Sequence, residues 1–328
     1  MHPIARAIRA RGGFLRRRDL LRIGYFDAHI RAELANGRIF RVRHGWYSVP
    51  DAPPTAILAV RVGGRLTGIA AIETYGLRVP KRTAIDVCVP RGACRLRSPL
   101  SRHERLSDDE PVITHWTGPP RYSTDPAVWR VSLDEALLLV LATEPRDIAV
   151  ACCSAVARYK GWPPARMDAV FAKAPQRVQK WRELVCALDD SHGETFVRLW
   201  LTDARVPWQS QPRVDGVGRL DGRVSPHVYV EVDGGQHDPE WTGEGASTYE
   251  NDHDRDTTMA ILGNSVQRYT YRQLYSDWPR CLAAIQRARR DDLELIARRQ
   301  RHPSLPRSLN RKRRRSARDG PLNGASLA

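Results

Sequence analysis

The stretch VYVEVDGGQHD, residues 228–238, alternates apolar and other side chains until two glycines break it and a histidine follows. Side chains two apart on a strand share a face. Val228, Val230 and Val232 therefore make an apolar row suited to a core, while Tyr229, Glu231 and Asp233 take the other face. Two like charges on one strand face repel each other and cost stability unless something positive lies between them. An arginine or a metal ion would serve.

Upstream, Asp221 is separated from this strand by GRVSPH, long enough for a hairpin with Gly222 and Pro226 as turn formers. The hairpin brings Asp221 within a few residues of Glu231, in a register that spacing leaves open. SHGETFVRLWL, residues 191–201, reads as a helix start carrying Glu194, whose distance from Ser191 is also that of a simple capping box. Downstream, TYENDHDRDTTMAILG reads as a helix stopped at Gly263, and SVQRYTYRQL as a strand containing Gln267 and Arg268. Asp252, Arg255 and Asp256 share a helix face, as an internal ion-pair cluster or a substrate contact. Helix, hairpin, helix and strand predict a mixed sheet flanked by helices. Clustered carboxylate oxygens suit Mg²⁺ (or Mn²⁺), which keeps waters for attack on a phosphate. Arg219, Arg255 and Arg268 are the candidates for pairing the acids without a metal.

The order and residues resemble the PD-(D/E)XK nuclease superfamily, and more closely a domain family related to very-short-patch repair endonucleases. Glu194, Asp221, VEVDGGQHD, DHDRD and VQRYTYRQL carry the likeness over about residues 190–276. The resemblance implies that the helix acid and the hairpin acids hold Mg²⁺. It also implies a lysine two residues after the second hairpin acid, where Asp233 stands here. The chain has no lysine between Trp181 and Arg311. His237, at the place where the repair-type relatives carry a histidine, is then the candidate general base, with Asp238 its orienter.

At the other end of the chain, residues 14–50 read as two short helices and a hairpin. FLRRRDLLRIG places Phe14, Leu15, Leu20, Leu21 and Ile23 along a helix stopped by Gly24, and YFDAHIRAELANG follows with Asp27 as N-cap. RIFRVRHGWYSVP turns at His44–Gly45. This is the order of a winged helix-turn-helix, with Arg31 and Arg38 on or just past the second helix and Arg41 and Arg43 on the wing. DLLRIGYFDAHIRAELANGRIFRVRHGWYSVP, with GGRLTGIAAIETYGLRVP and AIDVCVPRG after it, resembles the N-terminal region of AbiEi-type antitoxins of type IV toxin–antitoxin systems. That resemblance covers residues 14–95 and implies DNA binding, autorepression and a cognate toxin.

Residues 100–130 are Pro- and charge-rich and read as a connector, and from Ser132 helices are expected, with Ser132 and Glu135 spaced as a capping box. The sequence reading thus divides the chain into a winged domain (1–50), a trailing segment (51–130), a helical linker (131–190), a nuclease-like domain (191–290) and a disordered basic tail (298–328). The fold class expected is α+β or α/β.

The bulk composition agrees with a nucleic-acid binder. The net charge is +16, from 53 basic against 37 acidic residues, the footprint of a phosphate-backbone partner. Residues 1–47 hold eleven arginines against Asp19, Asp27 and Glu33. No apolar run reaches the roughly 18 residues of a membrane span, no secretion signal is read, and the six cysteines contain no CxxC pair. A cytoplasmic protein with reduced thiols and no zinc is expected. The leading expectation is a DNA-binding, Mg²⁺-dependent endonuclease with Arg255 and Arg268 near phosphate or the acids. Its rivals are a non-catalytic regulator or antitoxin, in which the nuclease fold serves as a dimerisation or DNA-docking module, and a toxin-system component acting through a protein partner.

Overall fold

The computed structural model describes residues 3–80, 82–117, 129–233 and 254–301. Within them the chain is mixed α+β, with several small sheets and helices packed on them.

The N-terminal region runs α1 (Pro3–Arg9), β1 (Phe14–Arg16), α2 (Arg17–Arg22), α3 (Asp27–Ala35), β2 (Phe40–Arg43) and β3 (Trp46–Ser48). Its antiparallel sheet has the order β1-β3-β2. Gly45, at φ +74°, allows the β2–β3 turn. The expected helix from Phe14 is corrected: Phe14–Arg16 form a strand opposite Ser48, Tyr47 and Trp46, and the helix begins only at Arg17. Leu15 and Phe14 are both buried, which a strand wedged between β3 and the core permits. That partner strand lies thirty residues away, beyond the reach of local periodicity.

Next come α4 (Pro54–Val62), β4 (Arg65–Leu66), α5 (Gly68–Glu73), β5 (Ile85–Pro90) and β6 (Val112–Thr117). They form a second sheet, β4-β5-β6, with β5 and β6 parallel. The expected connector therefore contains a strand; its residues 118–128 lie outside the described residues. Helices α6 (Leu133–Thr143), α7 (Arg146–Tyr159), α8 (Pro164–Phe171) and α9 (Gln176–Gln179) follow. The Ser132–Glu135 capping box forms as expected. The helical linker expected through residue 190 ends early: α9 gives way to a 3-10 turn, Lys180–Leu184. There the Cys186 N–H donates to Ser154 Oγ of α7 at 3.1 Å instead of to a carbonyl of its own turn. Buried apolar side chains from Ile4 to Val178 make one continuous core.

The C-terminal region contains α10 (His192–Asp203), β7 (Gln209–Ser210), β8 (Arg213–Val214), β9 (Gly218–Arg219), β10 (Gly222–Ser225), β11 (Val228–Asp233), a helix α11 described over 254–261, β12 (Ser265–Thr270), α12 (Tyr271–Ser276) and α13 (Trp278–Arg301). The sheet order is β12-β11-β10-β7. β10 and β11 are antiparallel, β11 and β12 parallel. Gly222 pairs with Val230 within β10, so the turn of this hairpin is Pro226–His227 and Gly222 is not part of it. Val228, Val230 and Val232 join Val197, Leu201, Cys281 and Ile285 in one core. Tyr229 enters a second cluster with Val214, Val217, Leu220 and Met259 on the opposite face. The basic tail expected from residue 298 is helical through Arg301, as the end of α13; residues 302–328 lie outside the described residues.

Helix α10 also packs on α7. Arg146 pairs with Asp203 at 2.6 Å, and Trp200 Nε1 donates to Asp147 Oδ2 at 2.6 Å. Among the described residues, no helix is long and apolar enough to cross a membrane.

Candidate carboxylate site and nucleic-acid interface

Helix α10 delivers its first-turn acid to the sheet because Gly193 lets it come close. A Cβ at Gly193 would lie 2.9 Å from Val232 Cγ1 and 2.9 Å from the Tyr271 ring. The next residue, Glu194, is 4% exposed. Its backbone N–H donates to Ser191 Oγ at 3.2 Å, so the capping hydrogen bond is real. Its carboxylate does not return to Ser191, however. Oε2 accepts from the Asp190 N–H at 3.0 Å and from Gln211 Nε2 at 2.5 Å.

Asp221 stands immediately before β10, where Oδ2 accepts the Val232 N–H at 2.8 Å. The hairpin thus brings Asp221 to the Glu231 end of β11, as the spacing predicts. Burial and the neighbouring Asp221 push the Glu194 carboxyl up to about 8. Burial pushes Asp221 up to about 6, against the lowering effect of the Val232 hydrogen bond, with Glu231, Asp190 and Asp233 adding repulsion. Loss of solvent is the larger cause for both carboxyls, and the neighbouring acids add to it.

Glu231 is treated differently. It lies directly opposite Arg268 in the parallel register. Arg268 Nε donates to Glu231 Oε2 at 2.9 Å, and an Arg255 amine donates to Oε1 at 3.2 Å. Arg268 continues to Asp256 at 2.8 Å. Both oxygens of Glu231 therefore have cationic partners. Asp233 is exposed at the end of β11. His237, Asp238 and Asp252 lie outside the described residues. Among the described residues, no group of three or more His, Cys, Asp or Glu side chains is arranged to hold a metal ion.

Gln211 and Asp190 escape sequence reasoning. Gln211 carries a left-handed backbone, φ +54°, donates its N–H to the Asp221 carbonyl at 2.9 Å and holds Glu194 with its amide. Asp190 pairs with Arg158 and with Arg219. A Gln between Ser210 and Pro212 carries no local signal; DD before the helix start at Ser191 was the only hint for Asp190.

In the N-terminal region the four arginines separate into two kinds. Arg31 on α3 and Arg41 on β2 are exposed, as are Arg22, Phe26 and His29. Arg38 instead pairs at 2.9 Å with Glu33, which is 1% exposed. Arg43 turns inward and donates to the Arg95 carbonyl at 3.1 Å; burial, and to a smaller extent Arg97, lowers its pKa.

No family model matches this chain, and no curated protein matches it.

Proposed function

We propose that this protein binds DNA through its N-terminal region and hydrolyses phosphodiester bonds at the carboxylate site, with Mg²⁺ or Mn²⁺ as cofactor. The observation that carries this reading is the juxtaposition of Glu194, a buried helix acid, and Asp221, a half-buried hairpin acid, which Gln211 ties together through its N–H to the Asp221 carbonyl and its side-chain amide to Glu194. The order α1, β1, α2, α3, β2, β3 supports a winged helix-turn-helix. The hairpin, crossover helix and parallel strand beside α10 support a restriction-endonuclease-like body.

The donors fit the metal. Mg²⁺ takes hard oxygen ligands and commonly one or two protein carboxylates, with waters and substrate phosphate completing the shell. Glu194 and Asp221 supply two, and Gln211 Oε1 is a buried amide oxygen with no hydrogen-bond donor among the described residues. Of the acids expected from sequence to hold the metal, Asp221 and Glu231 with Asp233 and Glu194, this reading takes Glu194 and Asp221 as the ligands, because arginines hold both oxygens of Glu231. When bound, such a cation acidifies water and stabilises charge developing on phosphorus oxygens. Asp190 and Gln211 hold Glu194 in place, and the Val232 N–H holds Asp221. Arg255 and Arg268 keep Glu231 neutralised and aligned. Arg31 and Arg41 are exposed to phosphates, Arg41 while also donating to the Tyr47 hydroxyl at 3.4 Å, and Arg38 and Arg43 support the fold.

A second reading is favoured by a specific observation: Glu231 is held by two arginines and Asp233 stands where the resemblance implies a lysine. On that reading the protein is a non-catalytic regulator or antitoxin, dimeric or paired with a toxin. Calorimetric titration of Mn²⁺ separates the two, using wild type and Glu194→Gln/Asp221→Asn, each followed by incubation with duplex DNA. The hydrolase reading expects binding lost in the double variant and cleavage abolished by EDTA. DNA binding with neither metal binding nor cleavage in the wild type would leave the regulator.

A further inference from the structure

Two non-glycine residues among those described have left-handed backbones, Arg205 and Gln211. Arg205 follows the end of α10, where such a conformation is a common helix stop. Gln211 has no such excuse. It lies between β7 and the buried Pro212, and a side chain with a Cβ adopts φ +54° only where its surroundings over-determine it.

The surroundings are the two acids. The Gln211 main-chain N–H donates to the carbonyl of Asp221 at 2.9 Å, and its side-chain Nε2 donates to Glu194 Oε2 at 2.5 Å. One residue therefore ties the hairpin acid to the helix acid. An amide that turns its NH₂ to a carboxylate must direct its oxygen elsewhere. Here Oε1 is buried without a donor among the described residues. A buried amide oxygen with no partner is uncommon and marks the place of a bound water or ion.

We propose that Gln211 is a positioning residue that sets Glu194 against Asp221, and that its amide oxygen is the neutral ligand the site presents to a divalent cation or to a water on it. The cation part rests on the hydrolase reading; the positioning part does not. Neutrality suits the position, because a third anion beside Glu194 and Asp221 would add to their repulsion.

The test uses the full chain with Gln211→Met, which removes both amide atoms at similar length. Mn²⁺ titration of the folded variant should give affinity about tenfold weaker. A residue that only shapes the fold would shift the urea midpoint and leave the Mn²⁺ affinity of the folded protein unchanged. Equal Mn²⁺ affinity in wild type and Gln211→Met overturns the ligand assignment. Wild type that binds no Mn²⁺ overturns the cation part together with the hydrolase reading. The positioning part is then read without metal, from a urea-unfolding double-mutant cycle of Gln211→Met with Glu194→Gln. A coupling of about fivefold or more in the unfolding constant upholds it, and less than about twofold overturns it.

Discussion

Glu231 and Asp233 share a strand face, and at the scale of single residues the charge that answers them differs. Glu231 is answered by Arg268, which the parallel register sets directly opposite, and by Arg255 from α11. Asp233 is left at the exposed strand end, where solvent screens it. Glu194 and Asp221, by contrast, keep their mutual repulsion inside the fold. A carboxyl whose folded pKa is raised binds its proton more tightly folded than unfolded. Its favourable contribution is full below the unfolded value and is lost as pH rises through the folded one. Between pH 4.5 and 8 wild type should therefore lose stability relative to Glu194→Gln. The difference at pH 8 should be on the order of 3 kcal/mol, in favour of the variant. Urea unfolding at pH 5 and pH 8 checks this, and parallel curves for the two proteins would refute it. The arginines give a second residue-scale expectation. Arg31→Ala should weaken DNA binding severalfold at unchanged melting temperature, whereas Arg38→Ala should remove the Arg38–Glu33 ion pair and cost about 1–2 kcal/mol of stability. Fluorescence anisotropy on duplex DNA together with thermal melts separates the two.

Among elements, α13 seats beside the hairpin by the apolar packing of Cys281 and Ile285 and by one buried polar side chain. Asp292 accepts from Ser225 Oγ at 2.7 Å, from the His227 N–H at 3.2 Å and from His227 Nδ1 at 2.9 Å. Burial raises its pKa, but these hydrogen bonds more than offset that and leave it below the usual carboxylate range. Asp292→Ala would leave the Ser225 hydroxyl and a turn N–H without their acceptor. The expected cost is about 2–4 kcal/mol, measured by urea unfolding, with Asp292→Asn intermediate. Close approach matters equally in the hairpin. A Cβ at Gly222 would fall 1.9 Å from Trp208 Cη2, so the indole covers β10 only because no side chain stands there.

For the whole molecule, net charge +16 and the exposed arginines near α3 make salt the first variable to change. DNA affinity should fall linearly with salt on a double-logarithmic plot, and Arg31→Ala should lower the slope by about one. The continuous core from Ile4 to Val178 carries a further expectation. Phe14 packs on Trp129 with ring centroids 6.4 Å apart, and Trp129 Nε1 donates to the Gly12 carbonyl at 2.7 Å. A fragment of residues 1–50 should therefore be unfolded by NMR, while residues 1–190 unfold cooperatively. A well-dispersed spectrum from the shorter fragment would refute this.

Periodicity and punctuation were enough to recognise the β10–β11 hairpin, the apolar valine row, the Ser132 capping box, the helix stop at Gly263 and a mixed α+β chain. Each is set by interactions within a few residues, which is where composition acts. The tertiary structure alone decided that Phe14 is a strand residue, because its partner β3 is distant. It alone chose Arg255 and Arg268 for Glu231 from the candidate arginines and sent Arg219 to Asp190, since a parallel register is invisible from either strand. It alone joined Gln211 to Glu194 through a left-handed turn that no residue type announces. Acids can be counted in a sequence, but whether an acid meets a cation, a proton or another acid depends on contacts between segments far apart in the chain.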